Sequence, residues 1–491
     1  MSSSIRDILG KLNQQNTIDG MRCISTVKTA EDLKAATDEG YMFGMTASDW
    51  DALGSGLPAD KVFCPKAVLY PPNLIYYDEE KYLYRQIPIM CGQLIMGTKE
   101  EVFSRLKKTI AIGEQSYLNK DYKQILYPLL SEQSGNISMK IARDMLDNEP
   151  PSDKLYDIVL SVYTFGDCGS SFLCGEGFQK WLACKSEKQK HESEKSLDML
   201  PFDESGNITV YRGEGSLSTP HIEACSWTLD IARACAFATG VDDSVVYKGT
   251  VNRDSVVEYV ADRNEKELIV IPGSVKDVTP VQFYNYSEFA DVVAASRFDS
   301  KHRFPERTKV NAIIEDSTHA FRDVNVQDHT RDHVARVALL ASFLYRIGPL
   351  LRLAGSSKKE FDKATSIYEK LIFAAEYHDA GRTSNDANTT HGADGYAAYK
   401  SDYGEDDIID FLCTFHCRDD EDAKAFWEKN FATHPMKHYI WEAFITLRDA
   451  DALDRVRFGS GCADYLDGRT LRLKDAVRLI PVAIDISNRK I

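Results

Sequence analysis

The hydrophobic period of this chain changes twice, and those two changes limit what it can fold into. In "TKEEVFSRLKKTIAIG" Val102, Leu106 and Ile110 recur four residues apart, with Thr98 as N-cap and Glu101 completing a capping box, so a helix starts there. Helical signals continue through "KIARDMLDN" and "KLYDIVLSVYTFGD" to about residue 183, and the charge run "CKSEKQKHESEKSLD" reads as a solvated linker or an exposed helix. Over residues 206–285 the pattern turns to short valine-, isoleucine- and tyrosine-rich runs separated by turn residues, such as "NITVYRGEG" and "DSVVYKGTV", a β-rich core. From about residue 310 the helical period returns and persists nearly to the C-terminus. Helices and strands are thus segregated along the chain, and the expected class is multidomain α+β. Residues 1–105 mix turn signals ("DALGSGLPAD", "YPPN") with short apolar stretches and predict a small α/β region without a readable motif.

A length of 491 residues suits two to four domains, and 43% hydrophobic residues suffice for packed cores. The formal charge of -16 argues against a nucleic-acid binder, which needs a basic surface, and leaves proteins or nucleotides as partners. Eleven cysteines without a CxxC pair read as reduced thiols of a cytosolic milieu. No apolar run approaches the ~18 residues of a membrane span, and "MSSSIRDILGKLNQQ" lacks a signal-peptide apolar core, so a soluble protein is expected.

"ADRNEKELIV" sets Glu265 and Glu267 on one side of extended chain, with Lys266 on the other, at the mouth of a short buried strand expected at Leu268–Ile271. Two like charges held together are either solvated at a loop tip or face a cation or a developing positive charge. Upstream, "VYRGEG" ends a strand with Arg212 and Gly213, and "CSWTLDIARACAFATG" sets Ser226 and Thr228 on a strand that runs into a helix. Each has a structural reading of its own: an ion pair, an edge strand, a turn.

In this order, Arg, Ser-x-Thr and Glu-x-Glu resemble the signature of the mono-ADP-ribosyltransferases of the cholera-toxin type. The resemblance covers roughly residues 110–290 and implies a domain over 106–295, with a helical lobe at 106–200 and an NAD-binding β-core at 206–290. It implies that Arg212, beside Gly213, holds an NAD phosphate, and that Ser226 orients Glu267 while Thr228 supports the strand. Glu267 would grip the ribose and stabilise its oxocarbenium character, and Glu265 would serve the acceptor, usually an arginine in that family.

"DHTRDHVARVALLASFLY" puts His329, His333 and Arg336 on one helical face beside an apolar stripe of Val334, Val337, Ala338 and Ala341. Downstream stand "EYHDAGR", "HGADGYAAY", "TFHCRDD" and "LRDADALDR". The set His333, His378-Asp379 and Asp451 resembles the HD phosphohydrolase superfamily over roughly residues 310–460, with His391 and His416 where extra site histidines occur. That resemblance implies an all-α domain over 305–491 in which His333, His378, Asp379 and Asp451 hold a divalent metal that activates water against a phosphate ester.

His329-x-x-x-His333-x-x-Arg336 is similar to the phosphodiesterase domain of the SidE family of Legionella effectors, which also carry an ADP-ribosyltransferase of the Arg-Ser-Glu kind. This kinship implies a bacterial effector acting in a host cytosol and ubiquitin as its protein substrate. It gives His329 the role of nucleophile, His416 that of general acid or base for departing AMP, and Glu376 that of positioning a histidine, with His333 lining the site. The domain order here is the reverse of the SidE order, and no deubiquitinase-like cysteine domain is recognisable. The leading expectation is a bifunctional enzyme that transfers ADP-ribose from NAD to a protein arginine and cleaves its pyrophosphate to a phosphoribosyl product. The alternatives are a transferase fused to a metal-dependent hydrolase of free nucleotides, and a transferase whose helical domain only presents a target.

Overall fold

The computed structural model describes residues 20–67, 72–121, 135–165, 173, 175–215, 218–238, 244–261, 265–294, 329–353, 357–384, 389–458 and 465–488. The chain forms a mixed α/β structure with two antiparallel sheets and a helical C-terminal region, divided into two compact units. One unit comprises residues 1–200 with 222–225, the other 201–221 with 226–491.

The first unit begins with strands β1 (Arg22–Cys23), β2 (Val62–Cys64), β3 (Asn73–Asp78), β4 (Leu83–Met90) and β5 (Gln93–Leu94), which pair in sequence order. The capping box expected at Thr98 is present: the Thr98 hydroxyl accepts from the Glu101 amide, and Glu101 reaches back to the Thr98 amide. The helix it starts, Lys99–Leu118, buries Phe103, Leu106 and Ile110 in the core of this sheet. The boundary expected at residue 105 therefore falls inside a helix that serves the N-terminal sheet. Helices Gly135–Asn148, Asp153–Phe165, Glu176–Ala183 and Glu187–Asp198 follow. The charge run takes the helical alternative, capped by Ser186 and Gln189, and sets Ser193 and Leu197 inward.

The second unit holds β6 (Asn207–Glu214), β7 (Ser226–Thr228), β8 (Val245–Asn252), β9 (Val256–Val260), β10 (Glu267–Val270) and β11 (Lys276–Pro280), in the order β11-β8-β6-β7-β10-β9. The helix Ile231–Ala238 follows β7, as expected from "CSWTLDIARACAFATG". Its residues Ile231, Ala234 and Cys235 share one continuous core with Phe289, Val334, Leu340, Phe343 and Ile484. The six-stranded sheet and the helical region are thus built on a common interior. The helix Arg331–Tyr345 was expected to show a single apolar stripe, but His333 through Tyr345 are all buried. A helix enclosed on every side needs the nearly unbroken apolar run that "VALLASFLY" supplies. Around it stand helices Lys358–Tyr377, His391–Tyr403, Asp407–Phe415 and Lys437–Leu453.

Candidate functional sites

On the sheet, β10 begins at Glu267 rather than Leu268 and ends at Val270, and Ile271 lies beyond it at 37% exposure. Glu267 pairs with Thr228, and Ile269 with Ser226. Because alternate residues share a face, Ser226, Thr228 and Glu267 lie on the same side, and Ser226 is the diagonal neighbour of Glu267. Its hydroxyl donates to Glu267 Oε1, and Glu267 is buried. The Thr228 hydroxyl donates to the Glu265 carbonyl at 2.6 Å and accepts from the Asp230 amide at 3.0 Å, which ties β7 to the turn before β10.

The simple alternation expected for Glu265, Lys266 and Glu267 does not hold. Lys266 has φ +50°, a left-handed conformation, so these three residues are not one extended segment. Asp262, Arg263 and Asn264 of the same stretch lie outside the described residues. Arg212, within β6, donates to the carbonyls of Ser226 at 2.9 Å and Thr219 at 2.8 Å, bracing the start of β7. Its buried Nε meets no partner among the described residues. Gly213 has a packing reason to be glycine, because a Cβ there would meet the Ala234 carbonyl at 2.1 Å and the Ala238 nitrogen at 2.9 Å. It lets the Ile231–Ala238 helix lie directly on the strand, which accounts for it without a cofactor.

In the helical region, side chains from five helix ends converge on Asp379. His333 stands in the first turn of Arg331–Tyr345, whereas His329, expected on the same helical face, precedes that helix and its N-cap Thr330; His378 and Asp379 lie just past the end of Lys358–Tyr377, and His391 opens His391–Tyr403. His416 caps Asp407–Phe415, and Asp451 and Asp454 end the Lys437–Leu453 helix. Gly392 permits the close approach of two of these ends, since a Cβ there would meet the Cys413 carbonyl at 2.1 Å and His416 Nδ1 at 3.1 Å. All five histidines and Asp379 are buried.

The two oxygens of Asp379 serve two histidine groups. Oδ2 accepts from His329 Nδ1 and lies 3.2 Å from His333 Nε2 and 3.7 Å from His378 Nε2. Oδ1 lies 3.2 Å from His391 Nε2 and 3.7 Å from His416 Nε2. His378 donates its Nδ1 proton to the Ala375 carbonyl at 2.8 Å, and His416 donates its own to Cys413 at 2.6 Å, so each Nε2 is a bare acceptor. His333 Nδ1 faces the Asp454 carboxylate at 2.8 Å. Yet His378 Nε2 stands 3.3 Å from His333 Nε2, and His416 Nε2 stands 3.1 Å from His391 Nε2. Asp451 Oδ1 adds a further acceptor, 3.5 Å from His333 Nε2 and 3.9 Å from His378 Nε2. His333 and His391 each turn Nε2 toward Asp379 and donate to it, so the bare acceptor nitrogens here are those of His378 and His416.

The buried His and Asp groups could hold a metal ion. The four donors expected from sequence, His333, His378, Asp379 and Asp451, stand 3.2–3.9 Å apart across the pairs given above. Ligands at about 2.1 Å from one ion sit roughly 3.0–3.5 Å from each other, so small closures suffice for His333 and His378 together with either Asp379 or Asp451. Burial drives the His378 imidazole down to about 3, leaving it neutral as a ligand must be. Burial pushes the Asp379 carboxyl up, but His378 and the hydrogen bonds from His329, His333 and His391 outweigh it and hold the group well below the usual carboxylate range. Burial likewise opposes the charged form of His391, while Asp379 and Cys417 raise it to about 9.

Glu376 is buried on the last turn of its helix, but the carboxylate bonded to His329 is that of Asp379. The other nitrogen of His329, Nε2, has no partner among the described residues. Two participants were not singled out from sequence. Asp454 follows Asp451 by three residues in "DADALDR", a spacing that sets it on the same helical face, and it holds His333 and Arg336. Cys417 adjoins His416 and forms a possible donor group with His391 and His416; burial raises its thiol, but His391 and His416 bring it down to about 7. Among the described residues no helix is long and apolar enough to cross a membrane. Compared with known protein families, curated proteins and solved structures, the chain matches none.

Proposed function

We propose that the chain is a bifunctional enzyme. Its Glu267 site transfers ADP-ribose from NAD to a protein arginine, and its Asp379 site cleaves the ADP-ribose pyrophosphate, leaving phosphoribose on the protein and releasing AMP. The observation that carries the second half is the gathering of five buried histidines around the buried Asp379 carboxylate, with the Nε2 atoms of His378 and His416 left as bare acceptors, an arrangement suited to binding cations and of little use to a core. The first half is supported by the Ser226–Glu267 hydrogen bond and by the register that sets both on one face.

At the sheet, loss of nicotinamide builds positive charge on the ribose, and the buried Glu267 carboxylate, oriented by Ser226, stabilises it. Glu265 faces the incoming guanidinium and takes its proton as the new C–N bond forms. The unpartnered Nε of Arg212 suits an NAD phosphate oxygen. At the helical site, His333, His378, Asp379 and Asp451 would hold a divalent ion, while the charged His391 faces Asp379 and His416. Such an ion supplies Lewis acidity at a phosphate oxygen and acidifies water. The chain's own contribution is to fix each imidazole tautomer: Ala375 sets that of His378, Cys413 that of His416 and Asp454 that of His333.

A second reading has a specific observation behind it. His329, held through Nδ1 by Asp379, keeps Nε2 for attack on the pyrophosphate, and His416 would then protonate AMP. Intact mass of ubiquitin and of lysate proteins after incubation with NAD separates these outcomes, using wild type, Glu267→Gln, His378→Ala and His329→Ala with and without chelator. The proposal expects no label with Glu267→Gln, ADP-ribose with His378→Ala or chelator, and phosphoribose with wild type. Phosphoribose formation that survives chelation and His378→Ala but fails in His329→Ala transfers the case to the histidine nucleophile. Intact ADP-ribose from wild type, with hydrolysis of free nucleotides, overturns the relay.

A further inference from the structure

Lys266 stands between the two glutamates in a conformation that a long L side chain seldom adopts, at φ +50°. Such a residue keeps its backbone only where its surroundings over-determine it. Here its carbonyl accepts from the Leu229 amide at 3.0 Å, and its ammonium bonds Asp230 at 3.2 Å and Asp467 at 2.7 Å, with 14% of the side chain exposed. Asp230 belongs to the sheet region, where its Oδ1 accepts from the Ala232 amide at 3.0 Å at the start of the Ile231–Ala238 helix. Asp467 comes from the far end of the chain.

The segment carrying Asp467 is itself held at both ends. The Gly468 amide donates to Asp230 Oδ1 at 3.0 Å, and a Cβ on Gly468 would meet Ile231 Cγ2 at 2.6 Å, so the segment lies directly on the helix that follows β7. Arg469 pairs with Asp467 at 2.8 Å and aims its carboxylate. Four residues on, the amides of Arg472 and Leu473 donate to Asp449 Oδ2 at 2.9 and 2.7 Å. Asp449 lies on the Lys437–Leu453 helix, two residues before Asp451.

We infer that Lys266 is a positioning residue of the transferase site, and that residues 465–473 complete that site by holding it. The inference rests on the transferase reading of Glu265 and Glu267. Without the Asp467 carboxylate the Lys266 ammonium loses its shorter partner, and only the longer Asp230 pair and the bonds from Leu229 and Thr228 oppose relaxation of its backbone toward φ < 0. That relaxation turns the peptide between the glutamates and moves both carboxylates. The sheet-borne site is therefore not a separable module: the C-terminal segment reaches back to set its geometry.

The test uses full-length protein, NAD as probe, and wild type, Asp467→Ala, Lys266→Gly, Lys266→Arg and Glu267→Gln. NAD consumption is measured as kcat and KM, and hydrogen exchange is followed over residues 265–270 and over the 331–345 helix. Asp467→Ala is expected to lower kcat by about 10²-fold, the loss that a small misplacement of reacting groups produces, with KM unchanged. Lys266→Gly, which adopts positive φ freely but lacks the cation, is expected to lose activity likewise, and Lys266→Arg to keep most of it. Exchange over 265–270 rises in Asp467→Ala while the 331–345 helix keeps its protection, which shows that the variant is folded. Wild-type kcat in Asp467→Ala, or full activity in Lys266→Gly, overturns the inference. If wild type does not consume NAD, the transferase reading falls; the holding of the turn then stands if exchange over 265–270 rises in Asp467→Ala and falls if exchange is unchanged.

Discussion

Asp454→Asn is the substitution whose consequences the structure prescribes most closely. The buried Asp454 carboxylate accepts from Arg336 at 2.5 and 3.0 Å, from His333 at 2.8 Å and from Arg457 at 3.3 Å. Asparagine keeps the shape but loses the charge and one acceptor, leaving the buried Arg336 guanidinium without a counter-ion. Breaking one side of a buried pair costs about 3–5 kcal/mol, because the remaining charge cannot return to water. At roughly 2 °C per kcal/mol for a unit of this size, the second unit should melt about 6–10 °C lower. His333 also loses the carboxylate that fixes its tautomer, which weakens metal binding by about 10–100-fold. Calorimetry of wild type and Asp454→Asn, with zinc or manganese titration of each, measures both effects. Replacing Arg336 by Met and Asp454 by Leu together should recover part of the melting temperature, since His333 and Arg457 still lose the carboxylate, and none of the metal affinity, because apolar residues can replace a buried pair in stability but not in orienting an imidazole. A single variant that melts with wild type, or a double variant that melts lower still, refutes this account of the pair.

Gly213→Ala should destabilise the second unit by about 1–3 kcal/mol, the usual cost of overpacking, as its Cβ would stand 2.1 Å from the Ala234 carbonyl; chemical denaturation measures it, and an unperturbed fold with lost NAD binding would return Gly213 to a cofactor role. Thr98→Ala removes the hydroxyl that accepts from the Glu101 amide and should cost about 1 kcal/mol in unfolding of the first unit, with the second unaffected. Burial pushes the Asp467 carboxyl up, but Arg469 and Lys266 outweigh it and hold the group well below its ordinary value. Its folded pKa is depressed, so its stabilisation is present above the unfolded value of roughly 4 and is lost as pH falls through the folded one. The stability difference between wild type and Asp467→Asn should therefore be constant from neutral pH down to about pH 5 and shrink below about pH 4; a difference that grows on acidification contradicts the ion pair.

The parts of this molecule legible in its sequence are those whose causes lie within a few residues of each other. Thr98 and Glu101 announce a helix start because the capping box closes over three residues, and the 206–285 runs read as strands because their alternation and turn residues are local. Ser-x-Thr likewise sets its side chains on one face whatever surrounds them, whereas His-x-x-x-His did not, because His329 lies before the helix that carries His333. The same local logic misled where the backbone departs from its element, at Lys266, since no pattern in "NEKEL" reveals that Asp230 and Asp467 wait to hold a left-handed residue.

By itself, then, the sequence determined the order of helices and strands, the net charge, and the residue types able to meet a sugar cation or a metal. Tertiary structure alone decided that Asp379 offers one oxygen to each of two histidine groups, that Asp379 is the carboxylate bonded to His329, and that Asp454 and Cys417 join them. It alone decided that the six-stranded sheet and the helical region share one interior and that residue 467 returns to residue 266. The physical reason is range: hydrogen bonds within a turn of chain leave a periodic trace in the sequence, whereas contacts closed across a hundred residues or more are selected by packing and leave none.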